Sequence, residues 1–307
     1  MAVKETVNKS VQPLIEKFQK EGNKIANLLA EIPYSDDKSK RELYTAVVAI
    51  LVLLQEYSRD WAATTLKAAY RDAELEAIAR LEISGSITEE DFADLVDPEL
   101  TEIYNDFDRE IQGALASIHG LANAFVANHG VGKYLSSSIR IALLAGAATA
   151  VTIAEMRRQL REHLSESLVT VIARNGQSYT YALDYYAGLS ARNKVLASIT
   201  RAAMGKAYLA NHDLLRVSPQ ASTIGDYCDE YRGKVVSISG SSDKYPHISA
   251  LPNGGAPFHP HCYHFMEVYY EGMEETGKIR PEFVELAESG NPTPNDFQKL
   301  WRQVRRG

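Results

Sequence analysis

Two cysteines and a run of histidines hold most of the residues that could do chemistry in this sequence. Cys228 lies in Asp226-Tyr227-Cys228-Asp229-Glu230-Tyr231-Arg232-Gly233-Lys234, and Cys262 in Pro257-Phe258-His259-Pro260-His261-Cys262-Tyr263-His264. Of eight histidines, four (His247, His259, His261 and His264) fall between positions 247 and 264. Thiolate and imidazole are natural ligands of tetrahedral zinc. Cys228, His259 or His261, Cys262 and His264 supply four donors. The candidate metal set is therefore Cys228, His259, Cys262 and His264, with a structural zinc as the candidate cofactor. Such an ion would pin an irregular loop that has little core of its own, so that binding energy becomes folding energy. The spacing fits no standard finger, because Tyr231 stands where the second cysteine of a C-x-x-C pair would be. The competing expectation is a hydrogen-bonded loop with two buried thiols.

Catalytic chemistry is the sharper alternative. Cys262 between histidines could be an activated nucleophile. A zinc site with an open position could activate water, with Asp226, Asp229 or Glu230 as base. No H-E-x-x-H, G-x-S-x-G or C-G-x-C motif accompanies them. The sequence therefore predicts no catalytic residue and no enzyme, with a zinc-dependent hydrolase or nuclease using Cys228 and His259–His264 as the alternative. Gly130-Val131-Gly132-Lys133 is read as a turn, since the glycines are misplaced for a phosphate loop and no Ser or Thr follows Lys133.

The elements that must position these residues divide into a helical first half and a mixed second half. Val11, Leu14, Ile15, Phe18, Ile25, Leu28 and Leu29 follow a helical period over 11–32. Ile32 to Asp37 reads as a turn with Ser35 or Asp36 as the next N-cap. No Gly or Pro occurs from Asp37 to Leu81, which predicts one helix of about 65 Å. Ser84-Gly85-Ser86 ends it, Thr88-Glu89-Glu90-Asp91 looks like a new helix start, and further helices are expected over 98–128 and 135–167. Leu168–Ala173 and Gln177–Tyr181 read as a β-hairpin with Asn175-Gly176 at its tip. A helix over 183–211, strands over 214–218 and 233–239, a Pro/Gly-rich loop over 245–264 and a strand over 265–270 follow. The expected class is α+β: a mostly α-helical N-terminal half with long helices, and a smaller α+β C-terminal domain with a hairpin and an irregular His/Cys loop. The expected division is 1–165 all-α, 166–272 α+β, and 273–307 a C-terminal tail with a basic end.

Composition sets the outer bounds. With 307 residues, 45% hydrophobic and 24% charged, the chain is neither disordered, collagen-like nor a disulfide mini-protein. The net charge of −7 is local: residues 80–110 hold eleven acids and two bases, read as a solvated face and otherwise as a docking surface for a basic partner. Lys299, Arg302, Arg305 and Arg306 make the C-terminal end basic. That end is expected to be a frayed terminus, or else a contact for DNA phosphates or an acidic protein surface. The longest apolar run, Ala46–Leu54, has nine residues, against about 20 for a membrane span. No membrane contact is expected, and a polar Met1–Lys9 predicts use in a reducing cytoplasm. Tyr179, Tyr181, Tyr185 and Tyr186 are expected to pack in the core, and Arg192, Lys194 and Arg201 to form a solvated helix face.

Gly176, the 181–192 stretch, Asp213-Leu214-Leu215-Arg216-Val217-Ser218, Cys228, Gly233-Lys234-Val235-Val236-Ser237-Ile238-Ser239-Gly240 and Pro257-x-His259-Pro260-x-Cys262-x-His264 occur in that order. This series resembles the C-terminal region of tailed-phage minor capsid proteins, namely the minor capsid protein 2 group and the Mu F-like head morphogenesis group, over roughly residues 168–270. His261 replaces the usual Asn of that pattern, Tyr263 the usual Arg, and Tyr231 the second cysteine. The resemblance implies a virion structural protein near the portal, in the capsid interior or at the head–tail junction and in the host cytoplasm during assembly. Its implied role is head assembly and DNA packaging or ejection. The implied partners are the portal protein, the major capsid protein and, through the basic tail, packaged DNA.

Overall fold

The computed structural model describes residues 3–85, 98–127, 150–172, 178–219, 225–290 and 292–305. The helix start at Thr88, the Gly130–Lys133 turn, the 135–149 part of the fourth helix, the Asn175-Gly176 tip and Arg306 lie outside them. The fold is α+β, with long helices dominating the first half and a small sheet in the second. The described α-helices are α1 (Val3–Glu31), α2 (Asp37–Ile83), α3 (Pro98–Val126), α4 (Ala150–Ser167), α5 (Leu183–Leu209), α6 (Pro281–Glu288) and α7 (Pro294–Val304). The strands are β1 (Val169–Ile172), β2 (Ser178–Tyr181), β3 (Leu214–Val217), β4 (Val235–Ser237) and β5 (Met266–Val268). Among the described residues no helix is long and apolar enough to cross a membrane.

Two compact units interleave along the chain: Asn8–Trp61 with Asp106–Ser190, and Met1–Val7 with Ala62–Asn105 and Ala191–Gly307. The sequence division at 165/166 falls inside the first of these and that at 272/273 inside the second.

The first unit is built from amphipathic helices. Val11, Leu14, Phe18, Ile25 and Leu29 of α1 are buried at three- and four-residue steps, as are Val47, Leu51, Leu54, Ser58 and Trp61 of α2. Asp36, of the two expected caps, starts α2: its Oδ1 accepts from the Lys38 and Ser39 amides at 3.0 and 2.9 Å. Trp61 packs on Phe107 with ring centroids 5.2 Å apart, and its Nε1 donates to the Ser10 carbonyl. β1 and β2 form the expected antiparallel hairpin, pairing Val169 with Tyr181 and Ile172 with Ser178. The tyrosines beside it are not core. Tyr179 and Tyr185 are exposed and Tyr181 stacks on Tyr185, because Leu183 and Ala187 take the buried positions of α5 instead.

The second unit carries the candidate site. Ala62, Leu66, Tyr70, Ala73, Ala77 and Leu81 continue the buried seam of α2. β3 is the middle strand of an antiparallel sheet ordered β4-β3-β5. One face of β3 buries Leu215 and Val217. Arg216 on the other face lies directly opposite Glu267 of β5, and the two form a buried ion pair. Arg80 Nη1 reaches the second carboxylate oxygen of Glu267 at 2.8 Å, so one acid is shared by two guanidinium groups. Gly233 and Gly240 flank β4 and both have positive φ, +69° and +76°. A Cβ on Gly233 would sit 2.7 Å from Thr276 Cγ2, and one on Gly240 would sit 3.2 Å from His247 Cδ2. Both positions therefore call for glycine.

The C-terminal segment departs from the frayed-tail expectation. α6 and α7 bury Phe283 and Phe297, and a capping box joins Thr293 to Asp296 at the start of α7. Phe297 stacks on Tyr227 at 5.4 Å, and the Tyr227 amide donates to Gln298 Oε1. Of the basic residues, Lys299 pairs with Asp296, and the Arg305 guanidinium lies over the Trp301 ring.

Candidate metal centre

Cys228 is placed by a short helical turn, Tyr227–Glu230. Asp226 caps that turn, its Oδ1 accepting from the Cys228 amide at 3.1 Å. The facing loop is suspended from several directions. The Tyr227 hydroxyl donates to the Phe258 carbonyl at 2.9 Å, Asn193 Nδ2 donates to the His259 carbonyl, and the Cys262 amide donates to the same carbonyl at 2.9 Å. At the loop exit, Phe265 N donates to Ser218 Oγ and Met266 N to Thr200 Oγ1 at 3.0 Å. Irregular backbone is thus tied down by side chains from α5, β3 and the Cys228 turn, as buried polar backbone requires.

This framework brings the four candidate ligands into two overlapping groups. The donor atoms of Cys228, Cys262 and His264 lie within 4.8 Å of one another, and so do those of Asp226, Cys228 and His259. Cys228 is common to both groups and Asp226 joins the set. Both thiols are free and buried, and His264 is fully buried. Cys262 Sγ lies 3.5 Å from His264 Nδ1, and the His264 amide donates to the same sulfur at 3.3 Å. His264 Nε2 and His259 Nε2 are buried without a hydrogen-bond partner. His259 Nε2 does lie 3.2 Å from Asp226 Oδ2; that is ion-pair distance, but the ring N–H is not aimed at the oxygen. Two thiols, two imidazoles and orphaned ring nitrogens suit a borderline-soft divalent ion.

The electrostatics favour negative charge here. Burial works to raise the Cys262 thiol, but Cys228, His264 and His259 outweigh it and hold the group well below the ordinary thiol range. Cys228 moves the opposite way, pushed up by its interaction with Cys262 and by burial. Burial likewise works to raise Asp226, yet the His259 ring and Cys228 bring its carboxyl down to about 2. Of the two thiols, Cys262 is therefore the one favoured as the thiolate, beside the His264 ring.

The other sequence candidates fall elsewhere. His261 is exposed, and His247 caps the turn Ile248–Ala250 through Nδ1. Tyr231, at the position of the missing cysteine, is fully buried against Phe258, Phe283 and Phe297, and its hydroxyl has no partner. Glu230 accepts from the Arg280 amide and pairs with the Lys234 and Arg280 side chains. It is therefore held as a structural acid rather than poised as a base. A cleft of about 280 Å³ is lined by Asp229, Glu230, Arg232, Arg280, Trp301 and Arg305, and by none of the Cys/His residues. Burial of both thiols denies a substrate access to the sulfur, so the arrangement fits holding an ion better than turning over a substrate.

Asn193, Thr200 and Ser218 hold the loop, and no local pattern marked them, because each acts through a partner more than 40 positions away. Asp226 carried one local signal: an Asp two residues before a buried Cys fits a turn cap. No protein-family model, curated protein or solved structure matches this chain.

Proposed function

We propose that this chain is a structural protein of a tailed-phage particle, a minor capsid or head morphogenesis protein. It acts near the portal in head assembly and in DNA packaging or ejection. One observation carries the reading: four of the segments on which the resemblance rests (213–218, Cys228, 233–240 and 257–264) fold together in one unit. The 213–218 segment is the central strand β3, the Gly233–Gly240 segment is its β4 neighbour, and the His259–His264 loop leads into β5 on its other edge. Cys228 and Cys262 meet beside that sheet. Motifs that converge on one module are better support than the same motifs scattered over a surface.

Its partners in this reading are the portal protein and the major capsid protein. A reconstruction of the purified particle without imposed icosahedral symmetry tests it. Density for this chain at one vertex is expected. Density on every facet, or absence of the chain from the particle, overturns it. Contact of the C-terminal end with packaged DNA is a second reading, resting on the basic residues Lys299, Arg302 and Arg305; Arg305 lines a cleft with Arg232, Arg280 and Trp301, which also holds Asp229 and Glu230. Retention on DNA that falls steeply with salt is its signature. The hydrolase alternative is disfavoured by the burial of the Cys/His cluster.

A further inference from the structure

We infer that Cys228, Cys262, His264 and His259 hold one divalent ion of the zinc class in tetrahedral coordination, with Asp226 orienting His259. The inference stands independently of the virion role.

Four observations converge on it. First, the Cys228, Cys262 and His264 donor atoms already lie within 4.8 Å of one another. Zinc with bonds of about 2.3 Å to sulfur and 2.0–2.1 Å to nitrogen holds its ligand atoms at roughly 3.4–3.8 Å. For these three donors that is a rotamer-scale contraction, and His259 lies within the same 4.8 Å of Cys228. Second, His264 Nε2 is a fully buried polar atom without a partner, and buried groups of this kind require an explanation. Third, the His264 amide points at Cys262 Sγ from two residues on. An N–H so placed stabilises a thiolate, the form that binds metal. Fourth, Asp226 Oδ2 stands 3.2 Å from His259 Nε2. A small turn of the ring brings its N–H onto that oxygen, the carboxylate–histidine arrangement that fixes a ligating imidazole from behind and leaves Nδ1 for the ion.

Soft sulfur and imidazole donors select zinc over magnesium or calcium. The ion has four protein ligands, of which Cys228, Cys262 and His264 are buried and His259 partly buried. It is therefore structural, joining the Cys228 turn to the loop that feeds β5.

The test is metal content of the full chain purified under reductant without chelator, followed by cobalt substitution. About one zinc per chain is expected, and cobalt should show thiolate-to-metal charge transfer with tetrahedral visible bands. Cys262→Ser and His264→Gln should each abolish both signals, while His261→Asn, outside the cluster, keeps them. Asp226→Asn should retain full occupancy at saturating metal but lower affinity by about 10–100-fold. The wild-type cobalt spectrum decides the question even if the ligand variants fail to fold. Less than about a tenth of an ion per chain after reconstitution under reductant, or a Cys228–Cys262 disulfide that persists in reductant, overturns the site. An unchanged affinity in Asp226→Asn overturns the role of Asp226.

Discussion

The helical unit (8–61 with 106–190) and the Cys/His unit (1–7 and 62–105 with 191–307) are held together by different means. In the helical unit, apolar residues recur at three- and four-residue steps along α1, α2 and α3, and the ion pairs lie mostly at the surface, as with Arg158 between Glu155 and Glu162. Stability there is spread over many similar contacts. In the Cys/His unit the sheet strands are three or four residues long. Its interior admits Arg216, Glu267, Lys206, Glu230 and Asp226, each buried and each paired. Repetition tolerates the loss of one contact. A small core with buried charges does not, because removing one partner leaves the other desolvated.

Tyr231→Ala and Phe107→Ala, one fully buried aromatic in each unit, give the strongest comparison. Each should cost about 3–5 kcal/mol. Followed by proteolysis, Tyr231→Ala should expose the 225–305 region as a whole, whereas Phe107→Ala should leave it protected. Equal, local damage in both variants would break the contrast. Glu267→Ala comes next. It takes the only acid paired with Arg216 among the described residues and one of the two acids paired with Arg80, which keeps Glu76, and should cost about 3–5 kcal/mol in urea unfolding. A cost near zero would mean that the pair is not desolvated. Gly233→Ala should cost about 1–3 kcal/mol, from the +69° φ and the Thr276 contact, while Gly113→Ala, with open space around it, should not destabilise. The smallest effect has the opposite sign. Tyr231→Phe removes an orphan hydroxyl and should be neutral or stabilising by about 1 kcal/mol.

The same residue gives a pH signature. Burial, with smaller contributions from Tyr227 and Glu230, pushes the Tyr231 phenol up. A group with a raised folded pKa contributes its stability in full below the unfolded value, about 10 for tyrosine, and loses it as pH rises further. Wild-type stability should therefore fall above that pH. Tyr231→Phe should flatten the fall, and an identical alkaline profile in the variant would contradict the buried placement.

The two units also differ in how much of them could be read in the sequence. Helices such as α2 announce themselves by period and by the absence of Gly and Pro, and Asp36 marks its own cap. β3 was legible from an apolar run stopped by Pro219, and β4 from its Val235–Ser239 alternation and the turn at Gly240. α6 and α7 were not, because elements of eight and eleven residues beside Pro and Gly carry little periodic signal, and docking of Phe283 and Phe297 against Tyr231 and Tyr227 is purely tertiary. The tyrosines at the hairpin misled because aromatic clustering does not say which face is buried. Residue types alone named the candidate ligands Cys228, His259, Cys262 and His264. They could not choose His259 over His261, since an irregular loop has no period to fix which side chain points inward, nor could they show Asp226 behind the histidine.

Hydrogen exchange of the reduced full chain, with and without a zinc chelator, tests the central claim that the Cys/His cluster holds its unit together through a bound ion. Chelation should strip protection from the Val217, Ser237, Cys262 and Met266 amides while leaving those of α1 between Val11 and Leu29 unchanged. Protection that survives metal removal in both units would contradict the claim.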